Sequence, residues 1–362
     1  MSRYEIWLTT DTGMRIRLLN DILSFDGTRV TDGIAECEVA LPPTFDVSQI
    51  KLDRMLQVWR AAEGKRLSLW RIYLIRRWEW RVGRVGRHLT VGGVGPREFL
   101  ARRIVPFNEE DSEGQKTGAA DDIMKEIVDE NMVSSATSAR NWSALSVQAD
   151  FSDGPTLTRT VAYENVYCAL AELQRASATA GDEVWFDVVP SDLSGPAISF
   201  EFRTRTNEPR VDRTSLGLRF SAERGNLIDA ALAYDYRDEE TYIYALGQGE
   251  GADRELQEQE DAARVNASSW NRREGFTSAL GEETANGVRE AARAELRAGE
   301  PRRQFRARAL DTAAARYGVD WEVGDRIVAE HLGTQFEVIV AAVRLRLRAG
   351  RETIDARLEY AE

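Results

Sequence analysis

Lysine, histidine and cysteine are all scarce in these 362 residues, and long apolar runs are missing. Each shortage closes off a class of protein. The two cysteines, Cys37 and Cys168, stand far apart with no Cys-x-x-Cys spacing. That excludes a disulfide framework and a zinc knuckle, and each is expected to act as a small core hydrophobe. Catalytic histidine chemistry has only His88 and His331 to draw on, both in strand-like segments, and no G-x-S-x-G nucleophile elbow accompanies them. So few histidines and cysteines leave too small a ligand set for a transition-metal site, and "DSEGQKTGAADD" lacks the order of a calcium loop. The expectation is therefore no catalytic residue, no metal and no cofactor.

No stretch of about 18 apolar residues occurs, and the opening "MSRYEIWLTTDTGMRIRLL" alternates apolar with polar positions. Neither a membrane-spanning helix nor a secretory leader is expected, and synthesis and folding are placed in a cytoplasm. Lysine appears only at Lys51, Lys65, Lys116 and Lys125, so basic charge is almost all arginine. A G- and C-rich host genome accounts for this. The suitability of planar guanidinium groups for ion-paired interfaces is a second, compatible reason. The net charge of −12 repels phosphate backbones and argues against a duplex-binding module.

What is present describes a globular chain, with 43% hydrophobic and 30% charged residues, long enough for two to four domains. The first hundred residues carry short runs rich in Val, Ile, Leu, Trp and Tyr: "RYEIWLT", "AECEVALP", "MLQVWRA", "SLWRIYLIRRWEWRV" and "RHLTVGGV". Turn formers separate them, as expected for strands of a barrel or sandwich. Trp70, Ile72 and Leu74 alternate with Arg71, Tyr73 and Ile75, which predicts a half-buried strand. Beyond Pro106, "AADDIMKEIVDENM" and "NVYCALAELQRASATAG" have helical spacing, the second stopped at Gly181. Strands resume at "EVWFDVVP" and "AISFEFRTRT", again at "ALAYDYRDEETYIYAL", and finally from 302 onward. Between 248 and 301 lies a polar stretch with one predicted helix, "ETANGVREAARAELRAG". Two β-rich blocks with α-containing insertions make the expected class α+β, dominated by β.

Carboxylates are so abundant that acid pairs such as Asp235 with Glu239, or Glu239 with Glu240, arise without chemical meaning, and solvated strand ends account for them. The stretch "GQGEGADR" (247–254) has the glycines of a phosphate cradle but not the spacing of one. No Lys-Ser/Thr follows, and the acidic run behind it would repel a pyrophosphate. It is expected to be a flexible exit from the "YIYAL" strand. "RVGRVGRHL" is expected to be a hairpin turn on an exposed edge. In "SSWNRREGF", Trp270 stands beside Arg272 and Arg273. These three are the candidate interface anchors, with local packing as the alternative.

Six stretches, "TVGGVGPREFLARRIV", "AADDIMKEIVDEN", "YIYALGQGEGADR", "NRREGF", "ARYGVDWEVGDRIVAE" and "GRETIDARLEY", carry a resemblance. In this order they resemble the hub proteins at the tail tip of long-tailed, non-contractile phages (siphophages), from about residue 20 to the C-terminus. That family is similar to the baseplate hubs of contractile phages and to the base of type VI secretion spikes. The resemblance implies two tube-type β-barrels, the second discontinuous, with α/β lateral insertions. The first barrel would be 1–105, the lateral domain 106–212, the second barrel 213–247 plus 302–362, and the polar helical insertion 248–301. It further implies a homotrimeric structural hub in the virion, adapting a hexameric tail tube to a threefold tip and lining the DNA exit channel. Implied partners are further copies of the chain, the tail tube or distal tail protein ring, the tape measure protein, and tip fibre or receptor-binding proteins. DNA would pass without specific binding. Two rival readings are a peptidoglycan-degrading tail enzyme using an Asp/Glu pair in the lateral domain, and a receptor- or carbohydrate-binding module with Trp142 and Trp270 as its platform.

Overall fold

The first block has seven strands, five of them on the apolar runs seen in the sequence: β1 (Arg3–Thr9), β4 (Glu36–Leu41), β5 (Met55–Ala61), β6 (Ser68–Gly83) and β7 (Gly86–Val94), joined by β2 (Arg15–Leu18) and β3 (Ser24–Val30). The structure is a computed structural model, described for residues 3–83, 86–106, 114–193, 197–206, 211–249, 251, 254–280 and 285–360. The chain divides into two units, one comprising Met1–Ala230 with Ala307–Glu362, the other Ala231–Arg306.

In the larger unit, the middle of the chain carries β8 (Ile104–Val105), β9 (Gln115–Ala119), α1 (Ala120–Val128), β10 (Leu145–Val147), β11 (Thr156–Thr160) and β12 (Glu164–Asn165). These are followed by α2 (Val166–Ala180), β13 (Val184–Asp192), β14 (Ser199–Thr206) and β15 (Arg219–Ser221). Asn165 caps α2, its side chain accepting from the Tyr167 N–H, and Gly181 closes the helix at φ 117°. Next come β16 (Leu227–Asp235), then in the smaller unit β17 (Tyr242–Leu246), β18 (Leu256–Glu260), α3 (Ala262–Val265), β19 (Glu274–Ser278) and α4 (Ala285–Ala298). Last are β20 (Arg302–Leu310), β21 (Arg326–His331), β22 (Thr334–Arg348) and β23 (Arg351–Tyr360).

A single hydrogen-bonded path, β16-β20-β23-β22-β3-β4-β7-β6-β5-β1-β2, runs through a 13-stranded sheet, with β21 joined to β22 and β15 to β21. The two strand blocks expected to make separate barrels therefore share one ladder. The joint is antiparallel, from Ala342 opposite Val30 to Arg348 opposite Ser24. Among the described residues its end strands, β2 and β16, do not pair with each other, so the sheet is open where closed barrels were expected. Alternation sets which face of a strand is apolar; it does not select the neighbouring strand.

β6 also departs from the half-buried pattern. Ile72, Tyr73, Leu74 and Ile75 are all buried, because both faces of the sheet are covered there. Tyr73 packs edge-on to Phe25, with centroids 6.4 Å apart, and donates to the Thr28 carbonyl at 2.6 Å. Ile72 instead joins the apolar cluster of the middle region, with Ile123, Leu170, Phe186 and Phe202. Of the two cysteines, Cys37 is buried as expected and Cys168 is exposed, on the outer side of α2.

Candidate assembly surface

The smaller unit is built around β17. β18 pairs with it antiparallel, from Tyr242 opposite Glu260 to Leu246 opposite Leu256, and β19 pairs parallel on the other side. This corrects the expected grouping of 213–247 with 302–362, since Tyr242–Leu246 lies in a three-stranded sheet of its own. It also corrects the reading of 248–301 as a polar helical insertion: strands β18 and β19 lie within it beside α4. The described residues of "GQGEGADR" lie between β17 and β18, which pair as a hairpin. The Gly247 N–H donates to the Glu255 carbonyl at 2.8 Å, and Gly249 and Gly251 take φ of 104° and 56°. Glu250, Ala252 and Asp253 lie outside the described residues.

The two faces of this sheet differ. Ile243 and Ala245 point to the side covered by α4, where Val288 and Ala292 complete a small apolar core. Gln257 and Gln259 of β18 share that side and accept from Arg289 at 3.0 Å and Arg293 at 3.4 Å. By strand alternation the opposite face carries Tyr242, Tyr244, Leu246, Leu256 and Phe276, with Glu258, Glu260 and Glu274 among them. Phe276 is 72% exposed.

Arg272 is the centre of this open face. Its guanidinium lies 3.7 Å from the Tyr242 ring centroid, donates to Glu274 at 2.7 Å, and stands 3.8 Å from Glu260. The Tyr242 and Tyr244 rings are 5.0 Å apart, and the Tyr242 hydroxyl bonds Glu258. That bond pushes the Tyr242 pKa up, while the bond to Glu274 raises that of Arg272, so both stay protonated. Trp270, in the turn before β19, is 91% exposed. Aromatic rings beside a fixed guanidinium, rimmed by carboxylates, suit a protein contact better than a reaction centre.

The three candidate anchors thus part company. Trp270 is displayed and Arg272 is stacked on the open face. Arg273 spends its guanidinium on backbone, donating to the carbonyls of Tyr236 and Arg237. Tyr242, Tyr244 and Phe276 were not singled out in the sequence, although the alternation of "YIYAL" placed both tyrosines on one face. Trp142, the other half of the aromatic platform, is partly buried, edge-on to Phe99 at 5.1 Å and under Arg103.

The acid pairs also resolve into structural roles. Asp235 bonds Arg237; Glu239, 2% exposed, accepts from Asn271 at 3.2 Å and lies 3.8 Å from Arg264. Glu240 packs against Gly275 and Gly299. Among the described residues no group of three or more His, Cys, Asp or Glu is placed to hold a metal ion. No helix among them is long and apolar enough to cross a membrane.

The family described as Siphovirus ReqiPepy6 Gp37-like protein matches residues 4–358. No curated protein matches the chain in sequence. Among solved structures, a tail protein from Neisseria meningitidis MC58 is 14% identical with a TM-score of 0.57, covering 98% of this chain and 96% of that one. The 43 kDa tail protein of prophage MuSo2 from Shewanella oneidensis is 11% identical with a TM-score of 0.60, covering 99% and 98%. A Francisella PdpA-VgrG complex in its lidded form contains a chain at 8% identity and a TM-score of 0.54, covering 99% of this chain and 52% of that one. At these identities the likeness is one of fold, and it extends over the whole chain.

Proposed function

The chain belongs to the Siphovirus ReqiPepy6 Gp37-like protein family, and on that premise we propose that it is a structural hub of the phage tail tip, acting as a homotrimer. The observation that supports a ring is the open ladder of the large sheet. β2 and β16 each leave a hydrogen-bonding edge among the described residues, and unpaired edges invite strands of another chain. A closed ring of copies joined head to tail satisfies both edges at once. In this reading the strands of 1–105 and 302–362 form the wall of the tube, with 106–212 on its outside. The net charge of −12 keeps DNA from sticking as it passes, since cationic walls would gain affinity by releasing counterions. The open face around Arg272 takes a neighbouring tail component, in the class of the tube or distal ring, the tape measure or a tip fibre. Assembly would occur in the host cytoplasm and the protein would remain in the virion.

Native mass spectrometry and particle symmetry test this directly. Threefold particles are expected; a clean monomer, or an even-numbered ring at assembly concentrations, would overturn it. The chain is proposed to have no enzymatic activity of its own. Clearing of host peptidoglycan in a zymogram, abolished by one carboxylate substitution, would overturn that part.

A further inference from the structure

One face of the β18-β17-β19 sheet already shows how this sheet takes a partner. α4 lies on it with a stripe at helical spacing, Val288, Ala291, Ala292 and Leu296, set against Ile243 and Ala245. The dimensions explain why a single helix covers it. Three strands of five residues make a face about 17 Å long and about 10 Å between its outer strands, and a helix is about 10 Å wide. The opposite face has the same dimensions. There Phe276 is 72% exposed and Leu256 46%.

This open face is graded along its length. At one end Glu260 and Glu274 flank Tyr242. At the other, Leu256 flanks Leu246, and between them Phe276 and Glu258 stand on either side of Tyr244. The polar atoms are largely matched within the chain: the Tyr242 hydroxyl bonds Glu258, and Arg272 bonds Glu274 and stands 3.8 Å from Glu260. Matching places these charges without cancelling them. Three carboxylates against the one guanidinium of Arg272 leave the face with an excess of negative charge, beside a continuous apolar end.

We propose that the open face docks one amphipathic helix of a neighbouring tail protein. The helix lays an apolar stripe over Phe276, Leu246 and Leu256, and carries lysine or arginine at the end over Glu258, Glu260 and Glu274. The length of the sheet admits about 11 residues of helix. Charge complementarity fixes its direction, because the reversed helix would set cations on the leucines and leave the carboxylates unanswered. The inference rests on the reading that this face takes a tail component, and adds which kind of segment it takes. Docking covers the second side of a unit whose own core is five residues, so it also stabilises that unit.

The test places the photoreactive analogue p-benzoylphenylalanine at position 276 of the full chain in assembled tails. The exposure of Phe276 leaves the fold indifferent to the change. Irradiation should cross-link it to a segment of another tail protein that is apolar at i, i+4 and i+7 and basic at one end. A cross-link to a tail protein segment without that pattern overturns the helix and leaves the face a docking site. A cross-link only to further copies of this chain, or none, overturns both. The same analogue at Glu290, on the exposed side of α4, should not capture the segment, and equal capture there overturns the proposal. A titration adds the charge test. A synthetic leucine-striped helix of about 15 residues flanked by lysines should bind the full chain about tenfold tighter than its glutamate-flanked counterpart, at about 150 mM salt. Phe276→Ser should weaken the lysine-flanked helix by about tenfold. Equal affinity for the two helices, or no loss in the Phe276→Ser protein, overturns the proposal.

Discussion

The two units are held together by different physics. Around α1 and α2, twenty-two described residues form one buried apolar cluster, with Phe186, Phe200 and Phe202 at its heart. Around α4 the corresponding cluster has five, and three of them are alanines. Apolar burial stabilises in proportion to area, so the smaller unit draws far less from it. Its substitute is a polar lock. Arg264 donates to the carbonyls of Glu240 at 3.1 Å, Gly299 at 3.0 Å and Leu296 at 2.9 Å, and bonds Asp261 at 2.9 Å. One side chain thus satisfies carbonyls at the end of α4 and lies beside the buried Glu239. A core of apolar contacts loses strength gradually when trimmed, whereas a lock depends on one residue.

Trimming the large core should give the largest effect. Phe202→Ala removes a fully buried ring packed 6.1 Å from Phe186 and should cost about 3–5 kcal/mol, read as a lower urea midpoint. Breaking the lock comes next. Arg264→Met leaves Glu239 buried and several carbonyls unmatched, at about 2–4 kcal/mol. Hydrogen exchange should then rise across 242–246 and 285–298; unchanged protection there would show that Arg264 is not the lock.

A finer comparison lies inside the smaller unit, where two glycines touch Glu240. A Cβ at Gly299 would meet the Glu240 Cβ at 2.8 Å and its backbone at 3.2 Å, so Gly299→Ala should cost about 1–3 kcal/mol. At Gly275 the obstacle is only the Glu240 carboxylate, the far end of a flexible side chain. Gly275→Ala should therefore cost less, about 1 kcal/mol or below, in the same denaturation assay.

Acid titration probes the larger unit through Asp187. Burial opposes the charge on Asp187, yet the guanidinium groups of Arg71 and Arg97 outweigh it and hold its pKa below the usual carboxylate value. A depressed pKa in the folded state contributes stability above the unfolded value of about 3.9, and that contribution is lost as pH falls through the folded pKa. Stability of the larger unit should fall on acidification below about pH 4, and Asp187→Asn should flatten that dependence. The smallest effect on folding is expected at Trp270, where Trp270→Ser should change stability by no more than about 0.5 kcal/mol. If Trp270 anchors an interface, the same substitution should reduce incorporation into assembled tails; full incorporation would return it to a local role.

Much of this was legible residue by residue. α2 showed its helical spacing and its stop at Gly181, because periodicity and the C-terminal glycine are local properties; its cap at Asn165 emerged only with the structure. Five of the seven strands of the first block were equally clear, whereas β2 and β3 are not among the apolar runs of the sequence. Nor was β18 legible. "LQEQE" has one apolar residue in five, and it became a strand because β17 supplies a ladder and Gln257 and Gln259 meet arginines of α4. The meeting of Arg29, Arg71, Arg97, Arg203 and Arg205 around one cavity was illegible for a related reason: these five arginines come from four separate segments, and no spacing connects them.

Sequence by itself determined the β-dominated α+β class, the helices of the middle region, the shortage of metal-binding side chains and the family to which the chain belongs. Tertiary structure decided which strands are neighbours, that β17 belongs to a small sheet of its own, and that its antiparallel partner is β18. It also decided that Arg272 and Arg273, adjacent in sequence, serve an open face and a backbone clamp respectively. The division follows from range. Backbone preference, capping and alternation act over a few residues, while strand partnership and charge convergence depend on which distant segments the packing brings together.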